Sequence, residues 1–111
     1  MKLIVARPRP PDSLVQIIEE ADGFSFPSGH VMFYVVLLGA LNLALSGAAM
    51  SDRTGRSIRI ASAVAVLLIG LSRIYLGTHW LSDVLAGYLF GAAVVAAAAL
   101  ALRRWGGATG P

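Results

Sequence analysis

Three apolar stretches, separated by two short polar links, set the plan of the chain. Val31 to Met50 runs for twenty residues without a charge. At about 1.5 Å of rise per residue such a run crosses roughly 30 Å, the thickness of one hydrocarbon core. Ile60 to Leu71 is the centre of a second run, and a third extends from Leu81 to Leu102, rich in alanine. The pattern predicts an all-α integral membrane bundle with transmembrane helices at about 31–50, 57–76 and 81–102. Ahead of them, Pro8, Pro10 and Pro11 favour extended backbone. Leu14, Ile17 and Ile18 recur at helical spacing and predict a short amphipathic helix near 13–20, lying at the interface. Asp22-Gly23 breaks it, and Phe24 and Phe26 are placed to anchor a loop at headgroup depth. The glycine-rich end, 106–111, predicts a flexible tail behind a single domain over 1–105.

Composition sharpens this picture. Of 111 residues, 57% are hydrophobic and only 14% charged, which is too apolar for an ordinary soluble domain. The mean hydropathy of +0.73 says the same. The net charge of +3 comes from nine Lys and Arg spread around the apolar runs. They form no basic face, so nucleic acid is not an expected partner. The absence of cysteine excludes disulfides, thiol nucleophiles and Cys-based metal sites. Leu3 to Ala6 is too short for the apolar core of a signal peptide.

The order of the spans brings chemistry together. His30 opens the first helix, Arg73 closes the second, and His79 and Asp83 open the third. All lie on one side of the membrane, with Lys2, Arg7 and Arg9 in the segment that precedes the first span. Arg53, Arg56, Arg59, Arg103 and Arg104 lie on the other. With Lys2, Arg9 and Arg73 set aside as site residues, the positive-inside rule places the site outside the cytoplasm, at the cell membrane. Three cations and a helix start at Ser28-Gly29 suit a phosphate, because helix N–H groups bind anions and the arginine fork matches phosphate oxygens. His30, His79 and Asp83 also offer the ligand types of a two-His-one-carboxylate metal set. Three nearby cations would repel a divalent ion, so no metal and no cofactor are expected. The mechanism that fits is covalent. His79 attacks phosphorus while Asp83, one helical turn on, holds its other ring nitrogen. His30 protonates the leaving oxygen and then activates water. One imidazole must start neutral and the other protonated, which predicts a bell-shaped pH–rate profile.

Lys2-x6-Arg9-Pro10, Pro27-Ser28-Gly29-His30 and Ser72-Arg73-x5-His79-x3-Asp83 together resemble the three signatures of the type 2 phosphatidic acid phosphatase (PAP2) superfamily. The resemblance covers residues 2 to about 100 and takes up both histidines of the chain. It implies a metal-independent membrane phosphatase acting on a lipid phosphate or diphosphate. His79 looks like the nucleophile, Asp83 its partner and His30 the acid. Lys2, Arg9, Ser28, Gly29 and Arg73 look like phosphate ligands. Membrane members of the family usually carry more helices ahead of the first signature, which here starts at the second residue. The expectation is therefore either a fragment, the C-terminal part of the domain, or a shortened protein that pairs with another copy. Gly87-Tyr-Leu-Phe-Gly91 offers a small-xxx-small contact for such pairing through helix 81–102.

Two rival readings follow. A vanadate-dependent haloperoxidase has a similar site, but those enzymes are soluble and the spans argue against it. A catalytically inactive phosphate- or lipid-binding membrane protein is the rival from another class. Tyr75 and Trp80 are expected at the membrane–water boundary, and Asp12, Glu19, Glu20 and Asp22 on a solvated face.

Overall fold

The computed structural model describes residues 6–14, 16 and 23–106. Three helices account for most of them: α1 (Gly29–Ser46), α2 (Asp52–Tyr75) and α3 (Leu81–Gly106). Each is long and apolar enough to cross a membrane. The all-helical, three-span architecture expected from the hydropathy pattern is thus the one found. Asp12 to Leu14 form a turn at the start of the expected amphipathic helix, and most of its remainder lies outside the described residues.

The helix ends differ from expectation for local reasons. α1 stops at Ser46 instead of Met50. Ser46 Oγ turns back to donate to Leu43 O at 2.6 Å, and Gly47 N–H closes onto Leu45 O. α2 starts at Asp52 instead of Ser57. Ser51 caps it, its Oγ accepting Thr54 N–H at 3.2 Å, and Asp52 supplies an acid to the first turn. Arg53, Arg56 and Arg59, which the hydropathy pattern leaves in a polar link, therefore stand exposed on the first two turns of α2. α3 runs past Leu102 to include Gly106, the first residue of the expected tail, with Arg103 and Arg104 in its last turn. Residues 107–111 lie outside the described part.

α1 packs against α3 most extensively and against α2 less, while α2 and α3 touch only slightly. Glycine makes the α1–α3 contact close. A Cβ on Gly87 would lie 2.9 Å from the Ser28 carbonyl oxygen, and one on Gly91 would lie 2.7 Å from Val35 Cβ. The Gly87–Gly91 stripe is thus covered within the chain, and other faces of α3 remain for any second copy. Tyr88 joins α3 to α2, its hydroxyl donating to Val66 O at 3.2 Å beside Gly70. Asn42 joins α1 to α2 through Ser62 Oγ at 2.9 Å. The Cα positions extend over 62 × 32 × 17 Å, a single layer of helices. Its many exposed apolar side chains, such as Leu67, Leu68 and Leu89, suit a bilayer. Among the described residues the buried apolar side chains are Val31 and Val84. Both sit within a turn of the polar end, so the fold is closed most tightly beside the buried Ser28, His79 and Asp83.

Candidate functional site

The spacing Arg73-x5-His79-x3-Asp83 is a helix stop followed at once by a helix start. Gly77 has φ of 72°, a left-handed conformation that glycine adopts without steric cost. The turn it makes sends Thr78 N–H to Arg73 O at 3.2 Å and Gly77 N–H to Ile74 O at 3.0 Å. This is the double hydrogen bond of a Schellman motif. His79 N–H and Thr78 Oγ1 reach the same Arg73 carbonyl at 3.3 and 3.0 Å. Three residues into the next helix, Asp83 Oδ2 accepts the Trp80 N–H at 2.8 Å, the carboxylate half of a capping box. The motif spacing thereby fixes where the imidazole stands between two helices.

His79 and Asp83 are both buried. Nδ1 of the ring is 3.8 Å from Asp83 Oδ2, longer than a hydrogen bond. On the opposite edge, Arg9 Nη1 donates toward His79 Nε2 at 3.4 Å. A guanidinium can only donate, so this contact suits the neutral imidazole whose lone pair is on Nε2. Arg9 also donates to Thr78 O at 2.7 Å and to Gly23 O at 3.1 Å, which ties the N-terminal segment, the loop before α1 and the α2–α3 link together.

The start of α1 is joined to the same place. Ser28 N–H donates to Asp83 O at 3.0 Å. Ser28 Oγ is fully buried and has no hydrogen-bond partner among the described residues. A hydroxyl in that state is costly unless something else takes up its hydrogen bond. Gly29 and His30 form the first turn. His30 is exposed and lines an open cleft of about 480 Å³ with Gly29, Phe33 and Tyr34. It makes no hydrogen bond to His79 or Asp83. Arg73 is half-buried at the end of α2, with Nε 3.5 Å from Ser72 Oγ. Lys2, the remaining residue read from the sequence, lies outside the described residues.

Trp80, expected as an interface anchor, holds the site together: its Nε1–H donates to Pro8 O at 3.1 Å. Tyr75 is exposed at the end of α2, and Asp12 is exposed in its turn. Glu19, Glu20 and Asp22 lie outside the described residues. Sequence reasoning gave no role to Arg7, which pairs with Asp83 Oδ1 at 3.2 Å and donates to Ser82 Oγ. It also overlooked Ser25, buried and bonded to Arg7 O and Pro8 O. The signal for Arg7 was its position two residues before Arg9 in an extended stretch, where alternate side chains share a side.

Comparison with known proteins places this arrangement. The model of the PAP2 superfamily matches residues 1–106. An undecaprenyl-diphosphatase from Sulfolobus acidocaldarius is 35% identical over 68 residues, 61% of this chain and 29% of its own length. Phosphatidylglycerophosphatase B from Bacillus subtilis is 34% identical over 95 residues, 82% of this chain and 44% of its own. The crystal structure of a transmembrane PAP2-type phosphatidylglycerolphosphate phosphatase from Bacillus subtilis superposes with a TM-score of 0.78 at 25% identity. That match covers 98% of this chain and 51% of the other. The chain thus spans about half or less of the proteins it matches. With three spans, the described signature residues gathered at one end and a family match over nearly its whole length, the chain belongs to the PAP2 superfamily of membrane lipid phosphatases.

Proposed function

We propose that this chain hydrolyses a lipid phosphate or diphosphate without a metal, through a phosphohistidine on His79. The observation that carries the reading is the buried imidazole between Arg9 at Nε2 and Asp83 on the Nδ1 side, at one end of three apolar spans. A phosphate entering beside Arg9 takes over its N–H groups and leaves the Nε2 lone pair facing phosphorus. The N–P bond forms as the bond to the leaving oxygen breaks, and His30 gives that oxygen its proton. Water then attacks phosphorus, His30 takes the water proton, and the N–P bond breaks to release phosphate. Arg73, Lys2, the Ser28 hydroxyl and the backbone N–H groups of Gly29 and His30 hold the phosphoryl oxygens. Asp83 orients the ring and stabilises its charge.

The names of the relatives support two substrate classes, isoprenoid diphosphates such as undecaprenyl diphosphate and glycerophospholipid phosphates such as phosphatidylglycerophosphate; phosphatidate, expected from the family resemblance, belongs to the second. In either case the tail lies in the bilayer and the phosphate in the site. The charge distribution supports an extracytoplasmic site in the cell membrane, since Arg53, Arg56, Arg59, Arg103 and Arg104 gather at the other end.

The test is phosphate release from this panel of lipids in detergent, with excess chelator, for the chain and for His79→Ala. Chelator-resistant release that vanishes in the variant is the expected result; release that survives it removes His79 as nucleophile. The 3.8 Å separation of His79 from Asp83 favours one second reading, a phosphate-binding membrane protein without turnover. Stabilisation by inorganic phosphate with no release from any lipid would single that out.

A further inference from the structure

Arg7 stands in the spacer of the first signature, where the pattern asks for no particular residue. The fold nevertheless gives it three contacts. It pairs with Asp83 Oδ1 at 3.2 Å, donates to Ser82 Oγ and lies over the Trp80 ring at 5.6 Å from its centre. Asp83 is fully buried, and its second oxygen is already engaged by the Trp80 N–H at 2.8 Å. A buried carboxylate is costly without a countercharge, and Arg7 is the cation paired with it among the described residues. Arg7 and Arg9 therefore flank one imidazole. Arg9 meets Nε2 in front, and Arg7 holds the carboxylate behind Nδ1.

We propose that Arg7 is a positioning residue for His79 that acts through Asp83. It balances the buried carboxylate and holds it back from the ring, so that the imidazole is already neutral where an uncompensated carboxylate would keep it protonated. The inference rests on the reading of His79 as the nucleophile, which must be neutral to attack. Among the described residues, the other charged or titratable groups of these segments are Arg9 and Asp12 from the N-terminal segment, Arg73 from the end of α2 and His30 from the start of α1. None of them pairs with Asp83. Removing the Arg7 charge leaves the carboxylate free to favour the imidazolium, so His79 gives up its proton at higher pH.

The chain has two histidines, which makes the titration directly readable. Histidine-labelled protein in detergent micelles gives two sets of ring resonances by NMR, and His30→Gln assigns them. Arg7→Gln is expected to raise the His79 midpoint by at least about half a pH unit, given a charge change one side chain away. Arg7→Lys keeps the charge and leaves the midpoint within about 0.2 units of the parent. An unmoved midpoint in Arg7→Gln overturns the proposal, and so does a shift in Arg7→Lys as large as in Arg7→Gln. Should Arg7→Gln fail to fold, the Arg7→Gln/Asp83→Asn double variant decides. Its recovery supports Arg7 as the countercharge, and its failure overturns that role. The titration needs no turnover. Phosphate release surviving His79→Ala would end the proposed mechanism and leave the titration standing. Release abolished by His79→Ala, with an unmoved midpoint, would end only the role of Arg7.

Discussion

Gly87→Ala tests how the helix packing sets the site. The added methyl would stand 2.9 Å from the Ser28 carbonyl oxygen and 3.0 and 3.1 Å from Val31 Cβ and Cγ1. Ordinary contact begins at 3.4 Å, so the start of α1 must withdraw by roughly half an ångström. None of the three atoms is the free end of a flexible side chain. One is backbone, and the others form the branched stem of the fully buried Val31. Overpacking of this kind costs about 1–3 kcal/mol. The shift also stretches the 3.0 Å hydrogen bond from Ser28 N–H to Asp83 O, which ties the start of α1 to the start of α3. In the proposed mechanism, that displaces the phosphate-holding turn from the nucleophile. A misplacement of 1 Å can cost about a hundredfold in rate, so half of that is expected to cost about tenfold in kcat. Thermal unfolding in detergent reads the first effect and phosphate release the second. Gly47→Ala is the control, since a Cβ there meets nothing within 4 Å and the residue has φ of −89°. Gly87→Ala with parental stability and rate, or Gly47→Ala with equal losses, would refute the reasoning.

Three further outcomes are expected. Asn42→Leu removes the bond to Ser62 Oγ and one to Leu38 O, and should lower stability by about 1 kcal/mol with little effect on turnover, as read by unfolding and rate together. In the proposed mechanism the pH–rate profile should be bell-shaped, because there His79 attacks as the neutral ring and His30 is protonated to release the leaving group. His30→Gln should lower kcat and remove the fall on the basic side; a basic limb that persists would take the acid role away from His30. In membrane topology, a cysteine introduced at Ser13 should react with an impermeant maleimide on intact cells, and one at Ser51 only after permeabilisation; the chain has no native cysteine to interfere.

The three spans were legible because long runs without a charge, twenty residues in the first, leave little else for the backbone to do in a bilayer. Their ends were less so, because capping decides them. Ser51 with Asp52 carried a readable start signal that the hydropathy run outweighed, and Gly47 a readable stop. The gathering of His30, Arg73, His79 and Asp83 at one end followed from the order of the spans alone. Which atoms meet did not. The i, i+4 spacing put Asp83 beside His79, but at 3.8 Å and not at hydrogen-bond distance, while its two oxygens meet the Trp80 N–H and Arg7. The Arg7 contact joins positions 76 residues apart, so the local spacing of His79 and Asp83 does not encode it. The Gly87–Gly91 stripe was visible as a close contact, while its partner, the start of α1, was fixed only by the fold.

The covalent intermediate is the most direct test of the central claim. A lipid substrate carrying labelled phosphate would be mixed with the protein, quenched in alkali, and the label located by peptide mass spectrometry, in the parent and in His30→Ala. The account predicts an acid-labile phosphate on His79, held longer in His30→Ala because the water that removes it has lost its base. Turnover with no label on His79, or label on another residue, would contradict it.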